Sequence, residues 1–61
     1  CPRIIKTIRS TQENAWYQNW IGEEYTVIEC VKDYYLVHTW NGLGEMIPSL
    51  ILKKDCKTVV L

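Results

Sequence analysis

The feature that most constrains this chain is a succession of short segments rich in β-branched and aromatic residues, each ended by a polar or glycine-containing turn. The clearest segments are 23–31 and 34–40, which Lys32 and Asp33 join as a tight turn. The next reversal falls at residues 41–44, Asn-Gly-Leu-Gly, because Asn and Gly tolerate the positive φ angles of hairpin turns. The pattern therefore predicts a central β-hairpin and a further strand directly after it.

The same reading places the remaining strands. Residues 3–9 mix β-branched residues with charges and predict an edge strand. The strand that begins at residues 45–47 runs into Pro48, where we expect the sheet to bend or break because proline has no amide donor. Residues 53–55 predict one turn of 3₁₀ helix, and residues 56–61 a last short strand.

A long loop separates the first two strands. It starts in the polar stretch 10–14 and continues through an aromatic-rich segment to Gly22. Trp16 and Trp20 are four residues apart, which also suits a single helical turn inside the loop. Five short strands and no long helical pattern predict an all-β fold, a small barrel or sandwich.

The length of the chain limits what this fold can contain. Sixty-one residues make one domain, residues 1–61, and a chain this short buries only about 60% of its unfolded surface. The apolar share of 48% is typical of globular chains, so we expect folding around a thin core. Domains of this size often gain stability from a disulfide, a metal or a partner, which leaves self-association open.

Charge and hydropathy exclude several classes of partner. Seven basic residues balance seven acidic ones, whereas nucleic-acid and anionic-membrane binders usually carry a basic excess. Nucleic acid is therefore the second choice of partner. The sequence contains no apolar run of about 18 residues and no export leader, so we expect a soluble, cytoplasmic protein without a membrane partner.

The cysteines are odd in number: Cys1, Cys30 and Cys56. Small secreted scaffolds usually carry an even set, so we expect these thiols to be reduced, with Cys30 and Cys56 acting as small apolar residues. The alternative is a disulfide between Cys30 and Cys56. A structural zinc site is not expected because there is no C-x-x-C pair and His38 is the single histidine. No other cofactor is predicted.

The succession of these features is carried by the segments Ile21 to Ile28, Tyr35 to Val37, Asn41-Gly42, Ile47-Pro48 and Asp55-Cys56. In these segments the chain resembles the SH3-like small-barrel proteins, in particular the small ones encoded by bacteriophages and prophages. The resemblance implies a five-stranded SH3-like barrel with a long first loop, a glycine before the second strand and a short 3₁₀ turn before the last strand. It also implies a binding module, such as a phage accessory protein that binds a host protein.

No catalytic constellation is apparent. His38 is the only imidazole and lies in the middle of a predicted strand, while the carboxylates are scattered along the chain. The type II dihydrofolate reductases have a similar fold pattern, but residues 44–48, Gly-Glu-Met-Ile-Pro, depart from the active-site motif of that family. We therefore expect a protein that is not an enzyme.

Strand alternation predicts which side chains face a partner. Residues at period two share one face of a strand, and a small barrel has no second layer to cover the other face. The predicted core residues are Tyr25, Val27, Tyr35, Val37, Ile47 and Val59, with Trp16 from the first loop. The predicted interface with a protein partner, a host protein or a second copy of the chain, comprises Trp20, Ile28, Tyr34, Leu36, Trp40 and Met46.

Two alternatives to that interface remain. The loop of residues 10 to 20 could fold over the outward face and bury it internally. The domain could instead bind nucleic acid through basic residues brought together by pairing of the terminal strands, with aromatic rings stacking on bases. The residues of this nucleic-acid site would be Arg3, Lys6, Arg9, Lys53, Lys54 and Lys57.

Overall fold

A computed structural model describes all residues, 1–61, as one antiparallel sheet of five strands in the order β4-β3-β2-β1-β5. The sheet is not closed, so β4 and β5 form its two edges. This confirms the prediction of a small all-β domain with five strands. The strands are β1 (Ile4–Thr7), β2 (Glu24–Cys30), β3 (Tyr34–Trp40), β4 (Met46–Leu52) and β5 (Cys56–Val60).

Two short 3₁₀ helices complete the fold. The first, Gln18–Trp20, is the helical turn expected inside the long loop, and the second, Lys53–Asp55, is the turn predicted before the last strand. Neither is long or apolar enough to cross a membrane. The first strand is shorter than the predicted segment 3–9 because the main-chain amides of Ile8 and Arg9 turn away from the sheet to the carbonyl of Asp55.

Pro48 does not break the sheet, so of the two expected outcomes, a bend or a break, the break was wrong. Strand β4 runs through Pro48, which lies directly opposite His38 of β3. Because β4 is an edge strand, only one side of it is paired. A residue without an amide donor fits there when its nitrogen faces the open edge. Pro48 therefore lies on an edge strand of the sheet.

The core is small and centres on five buried residues. Val37 was predicted to be buried, and Tyr25, Val27 and Tyr35 pack against the core as expected. Ile47 and Val59 are both 41% exposed, which contradicts their predicted burial. They lie near the ends of the edge strands β4 and β5, whereas Ile51, further along β4, is fully buried. The buried cluster is Ile5, Ala15, Tyr17, Val37 and Ile51.

The structure contains a disulfide that differs from both sequence expectations: it joins Cys1 to Cys30, with a Cα–Cα distance of 6.0 Å. The sheet register explains this pairing. Ile4 lies opposite Thr26, so continuing the antiparallel pairing toward the N-terminus brings Cys1 beside Cys30. Cys56 lies opposite Thr7, at the other end of β1, and keeps a free thiol.

Cys56 does behave as predicted. Its thiol is partly buried, packs against the core and donates to the carbonyl of Leu52 at 3.4 Å. Burial, helped by the charge of Asp55, raises the pKa of this thiol to about 11. A thiol with such a pKa is largely protonated at neutral pH and is a poor nucleophile.

Candidate functional site

The long loop between β1 and β2 is tied to the second 3₁₀ helix by one buried carboxylate, that of Asp55. The hydroxyl of Tyr17 donates to Asp55 Oδ2 at 2.5 Å, and both the amide and the hydroxyl of Thr11 donate to the same oxygen at 3.2 Å. Tyr17 and Asp55 are almost completely buried. These bonds fix the middle of the loop, which carries the aromatic residues of the candidate site.

The ionisation of the Tyr17–Asp55 pair follows from these contacts. Burial alone would raise the pKa of Asp55, but the hydrogen bonds from Tyr17 and Thr11 to the ionised carboxylate outweigh burial and lower it below the usual value. Burial, and the bond to Asp55, raise the pKa of the Tyr17 phenol. A neutral phenol therefore donates to a charged carboxylate.

The lowered pKa of Asp55 makes the stability of the domain dependent on pH. The stabilisation is fully present above the pKa of an unfolded aspartate, about 3.9, and is lost as pH falls below that value through the folded pKa. We expect thermal melting temperatures to fall on acidification through this range. The Asp55→Asn variant, melted over the same pH range, should show a flatter profile. An equal slope in the two proteins would contradict the assignment.

The C-terminal end of the loop is held by buried Thr7. Its hydroxyl donates to the carbonyl of Trp20 at 3.1 Å, and its amide donates to the carbonyl of Glu23 at 3.1 Å. The amide of Gly22 returns a bond to the carbonyl of Thr7 at 2.8 Å. Gly22 has a φ of 98°, a conformation that side chains disfavour, so glycine is needed at this turn. Trp20 and Glu23 are thus fixed relative to β1.

These restraints build an aromatic pocket of about 310 Å³, formed by the long loop, the start of β2 and the end of β3. All three tryptophans of the chain contribute to it, with one tyrosine and one carboxylate. We call this site the aromatic pocket. Its lining residues are Trp16, Trp20, Glu23, Tyr25 and Trp40.

Trp16 forms a wall of the aromatic pocket rather than part of the core, which corrects its predicted burial; it is 38% exposed. Its indole N–H donates to the carbonyl of Leu50 at 2.8 Å, and its ring meets those of Tyr17 and Tyr25 edge to face at 5.4 and 5.6 Å. Tyr17 occupies the core position instead because its hydroxyl reaches Asp55.

A second feature is the uncovered side of the β3–β4 hairpin, which we call the outer face. Three directly opposed pairs form it. Trp40, Met46 and Leu50 are 64%, 48% and 46% exposed, so the long loop does not bury this face. Trp40 belongs to both the outer face and the aromatic pocket. The pairs are Leu36 with Leu50, His38 with Pro48, and Trp40 with Met46.

The structure distributes the predicted interface residues over several places. Leu36, Trp40 and Met46 lie together on the outer face, and Trp20 joins Trp40 in the aromatic pocket. Ile28 is exposed on β2. Tyr34 is half-buried at the opposite end of β3, in a separate cleft beside residues 52–54, and so does not join the other aromatic rings.

Sequence reasoning missed Glu23 and Leu50. Leu50 would have followed from alternation along β4 if the strand had been continued past Pro48. Glu23 carried no such signal, because its place beside three tryptophans depends on the path of the long loop.

The basic residues of the nucleic-acid alternative gather only in part. Pairing of β1 with β5 puts Lys6 directly opposite Lys57, and the guanidinium of Arg9 donates to the carbonyl of Lys54. Lys53 instead lies over the ring of Tyr35, 5.5 Å from its centroid. The amide of Arg3 bonds to the far end of β5. None of the six basic residues lines the aromatic pocket.

His38 is half-buried on β3, the environment that the sequence indicated. Its ring is 6.3 Å from that of Trp40, and its Nδ1 is buried without a hydrogen-bond partner. No three histidine, cysteine, aspartate or glutamate side chains are grouped to hold a metal ion.

Comparison with known proteins returned no matching family model, curated protein or solved structure, so the aromatic pocket and the outer face are interpreted from their own chemistry.

Proposed function

We propose that this protein is a non-catalytic protein-interaction module of SH3-like type that binds its partner through the outer face and the aromatic pocket. The observation that carries the proposal is the set of three opposed pairs on β3 and β4, apolar apart from His38 and left uncovered at an edge of the sheet. Contiguous apolar surface of this kind on a small domain commonly marks an interface. Exposed tryptophan and methionine are typical of such surfaces.

The strand arrangement supports the SH3-like part of the proposal. Strands β1 to β4 pair in sequence, and β5 returns to pair with β1. The long loop follows β1, and a 3₁₀ helix immediately precedes β5. The resemblance to phage-encoded small barrels makes a host protein the partner that we favour, with a second copy of the chain as the other.

The disulfide indicates the kind of compartment in which such a partner would be bound. A bond between Cys1 and Cys30 is typical of oxidising compartments. It therefore argues against the expected cytoplasmic location and favours a partner at the cell surface or in the periplasm.

The double variant Met46→Lys/Leu50→Lys tests the interface. Two charges on the outer face should reduce partner binding at least about tenfold, because each buried ammonium would lack a counter-ion. The variant leaves the lining of the aromatic pocket intact. Immobilised wild-type and variant domains would be compared for capture of proteins from fractionated bacterial extracts, with size-exclusion chromatography reporting self-association.

The matched control is Thr58→Lys, a new charge at an exposed position of β5, which is the opposite edge of the sheet from β4. Both proteins should melt close to the wild type, since exposed substitutions usually change stability by about 0.5 kcal/mol or less. Equal capture of every protein by the double variant and the wild type, without any change in oligomeric state, would refute the interface.

Nucleic-acid binding is the second candidate, and the direct opposition of Lys6 and Lys57 favours it. Like charges in opposed positions are destabilising without a counter-ion, and Glu24, opposite Lys6 on β2, supplies one negative charge for the two ammonium groups. Titration with single- and double-stranded oligonucleotides at two salt concentrations separates the candidates. Affinity that falls steeply with salt, and is lost in Lys6→Gln/Lys57→Gln, would support this second function over the first.

A further inference from the structure

We propose that the aromatic pocket is a receptor for the guanidinium group of an arginine side chain presented by the partner protein. The inference rests on the proposed function, since it names the chemical group by which a partner would be recognised. Four aromatic side chains and one carboxylate make up the whole lining of the pocket.

The aromatic walls favour a cation. The face of a tryptophan ring is the strongest site for cation–π attraction among the side chains, and this pocket has three tryptophans. A guanidinium is planar and weakly hydrated, so it stacks on indole faces at a low desolvation cost. An ammonium is compact and more strongly hydrated, and therefore gains less from the same walls.

The carboxylate of Glu23 supplies the complementary charge. Glu23 is the only charged residue in the lining, and Glu24 follows it in the chain. Burial, together with the negative charge of Glu23, raises the pKa of Tyr25, which indicates that the carboxylate acts on the pocket. A carboxylate can accept two parallel hydrogen bonds from a guanidinium, a geometry that a single ammonium does not reproduce.

The pocket is already organised in the absence of a ligand. The indole of Trp16 is fixed by its bond to Leu50. The main chains of Trp20 and Glu23 are fixed through Thr7. Trp20 and Trp40, 54% and 64% exposed, are the walls that protrude into solvent. The ordering cost of binding is therefore already met for Trp16 and for the main chain of the loop, which favours affinity for a small group.

A short peptide, acetyl-Gly-Gly-Arg-Gly-Gly-amide, provides the probe. Its matched control carries citrulline, which keeps the shape of arginine and removes the charge. Tryptophan fluorescence and the NMR signals of the indole N–H groups would report binding. We expect saturable binding of the arginine peptide and at least about tenfold weaker binding of the citrulline peptide, with shifts concentrated on Trp16, Trp20 and Trp40.

Variants of the chain complete the test. Glu23→Gln should weaken arginine binding about five- to tenfold and bring the two peptides closer in affinity. Glu29→Gln, which removes an exposed charge elsewhere on β2, should leave binding unchanged. Equal affinity for the arginine and citrulline peptides, tighter binding of a proline peptide, or insensitivity to Glu23→Gln would each overturn the inference.

The failure of this inference and that of the proposed function are distinguishable. Loss of protein capture in Met46→Lys/Leu50→Lys, combined with no arginine selectivity, would retain the outer-face interface and reject the arginine receptor.

Discussion

Replacing Asp55 with alanine is expected to lower the free energy of unfolding by about 3 kcal/mol or more. The change leaves the buried hydroxyl of Tyr17 without an acceptor, and an unsatisfied buried group costs about 1 to 3 kcal/mol. It also releases Thr11 and opens a cavity under the long loop. A domain of this length has a total stability of only about 3 to 9 kcal/mol, so much of the variant should be unfolded at 37 °C. Urea denaturation followed by tryptophan fluorescence measures the loss.

A double-mutant cycle shows whether the loss comes from the hydrogen bond itself. Tyr17→Phe removes the donor and keeps the ring in the core. If the two groups act as a pair, the effects of Tyr17→Phe and Asp55→Asn should be non-additive by at least about 1 kcal/mol. Asp55→Asn retains the shape of the side chain. It therefore allows the cycle to be measured even if the alanine variant does not fold. Additive losses would contradict the pairing.

Removal of the disulfide is expected to have an effect of similar size. The bond between Cys1 and Cys30 closes a loop of 29 residues, for which the chain-entropy relation gives about 3 to 4 kcal/mol of stabilisation. In a domain this small, Cys1→Ser/Cys30→Ser should lower the melting temperature by about 12 °C or more. Addition of a reductant to the wild type should have the same effect.

Cys56→Ala is the control, because Cys56 lies outside the disulfide. The melting temperature of Cys56→Ala should still fall when reductant is added, whereas that of the double serine variant should not change. Mass spectrometry after alkylation of the unfolded, unreduced protein should find one label, and after reduction three labels. Three labels without reduction, together with a wild-type melting temperature that does not change with reductant, would show that the bond does not form.

The sequence by itself determined the all-β class, five strands and the positions of the main reversals. These are local properties: β-branched and aromatic runs favour extended backbone, and the turn residues at 32–33 and 41–44 end those runs. Strand β3 and the second 3₁₀ helix begin and end where the pattern placed them. Strand alternation correctly predicted that Val37 is buried and Trp40 exposed. Strand β3 has a neighbouring strand on each side, so its two faces are well defined.

Only the tertiary structure decided which residues meet across the fold. Ile47 and Val59 are exposed because they lie near the ends of the edge strands β4 and β5, whereas Ile51 of β4 reaches the core. The continuation of β4 through Pro48 depended on β4 being an edge. The register between β1 and β2 brought Cys1 to Cys30, which no spacing in the chain specifies. The choice of Tyr17 over Trp16 for the core followed from Asp55, 38 residues further along the chain. Contacts between residues so far apart in the sequence are set by the packing of whole strands and loops. The aromatic pocket therefore could not be predicted from the local sequence pattern.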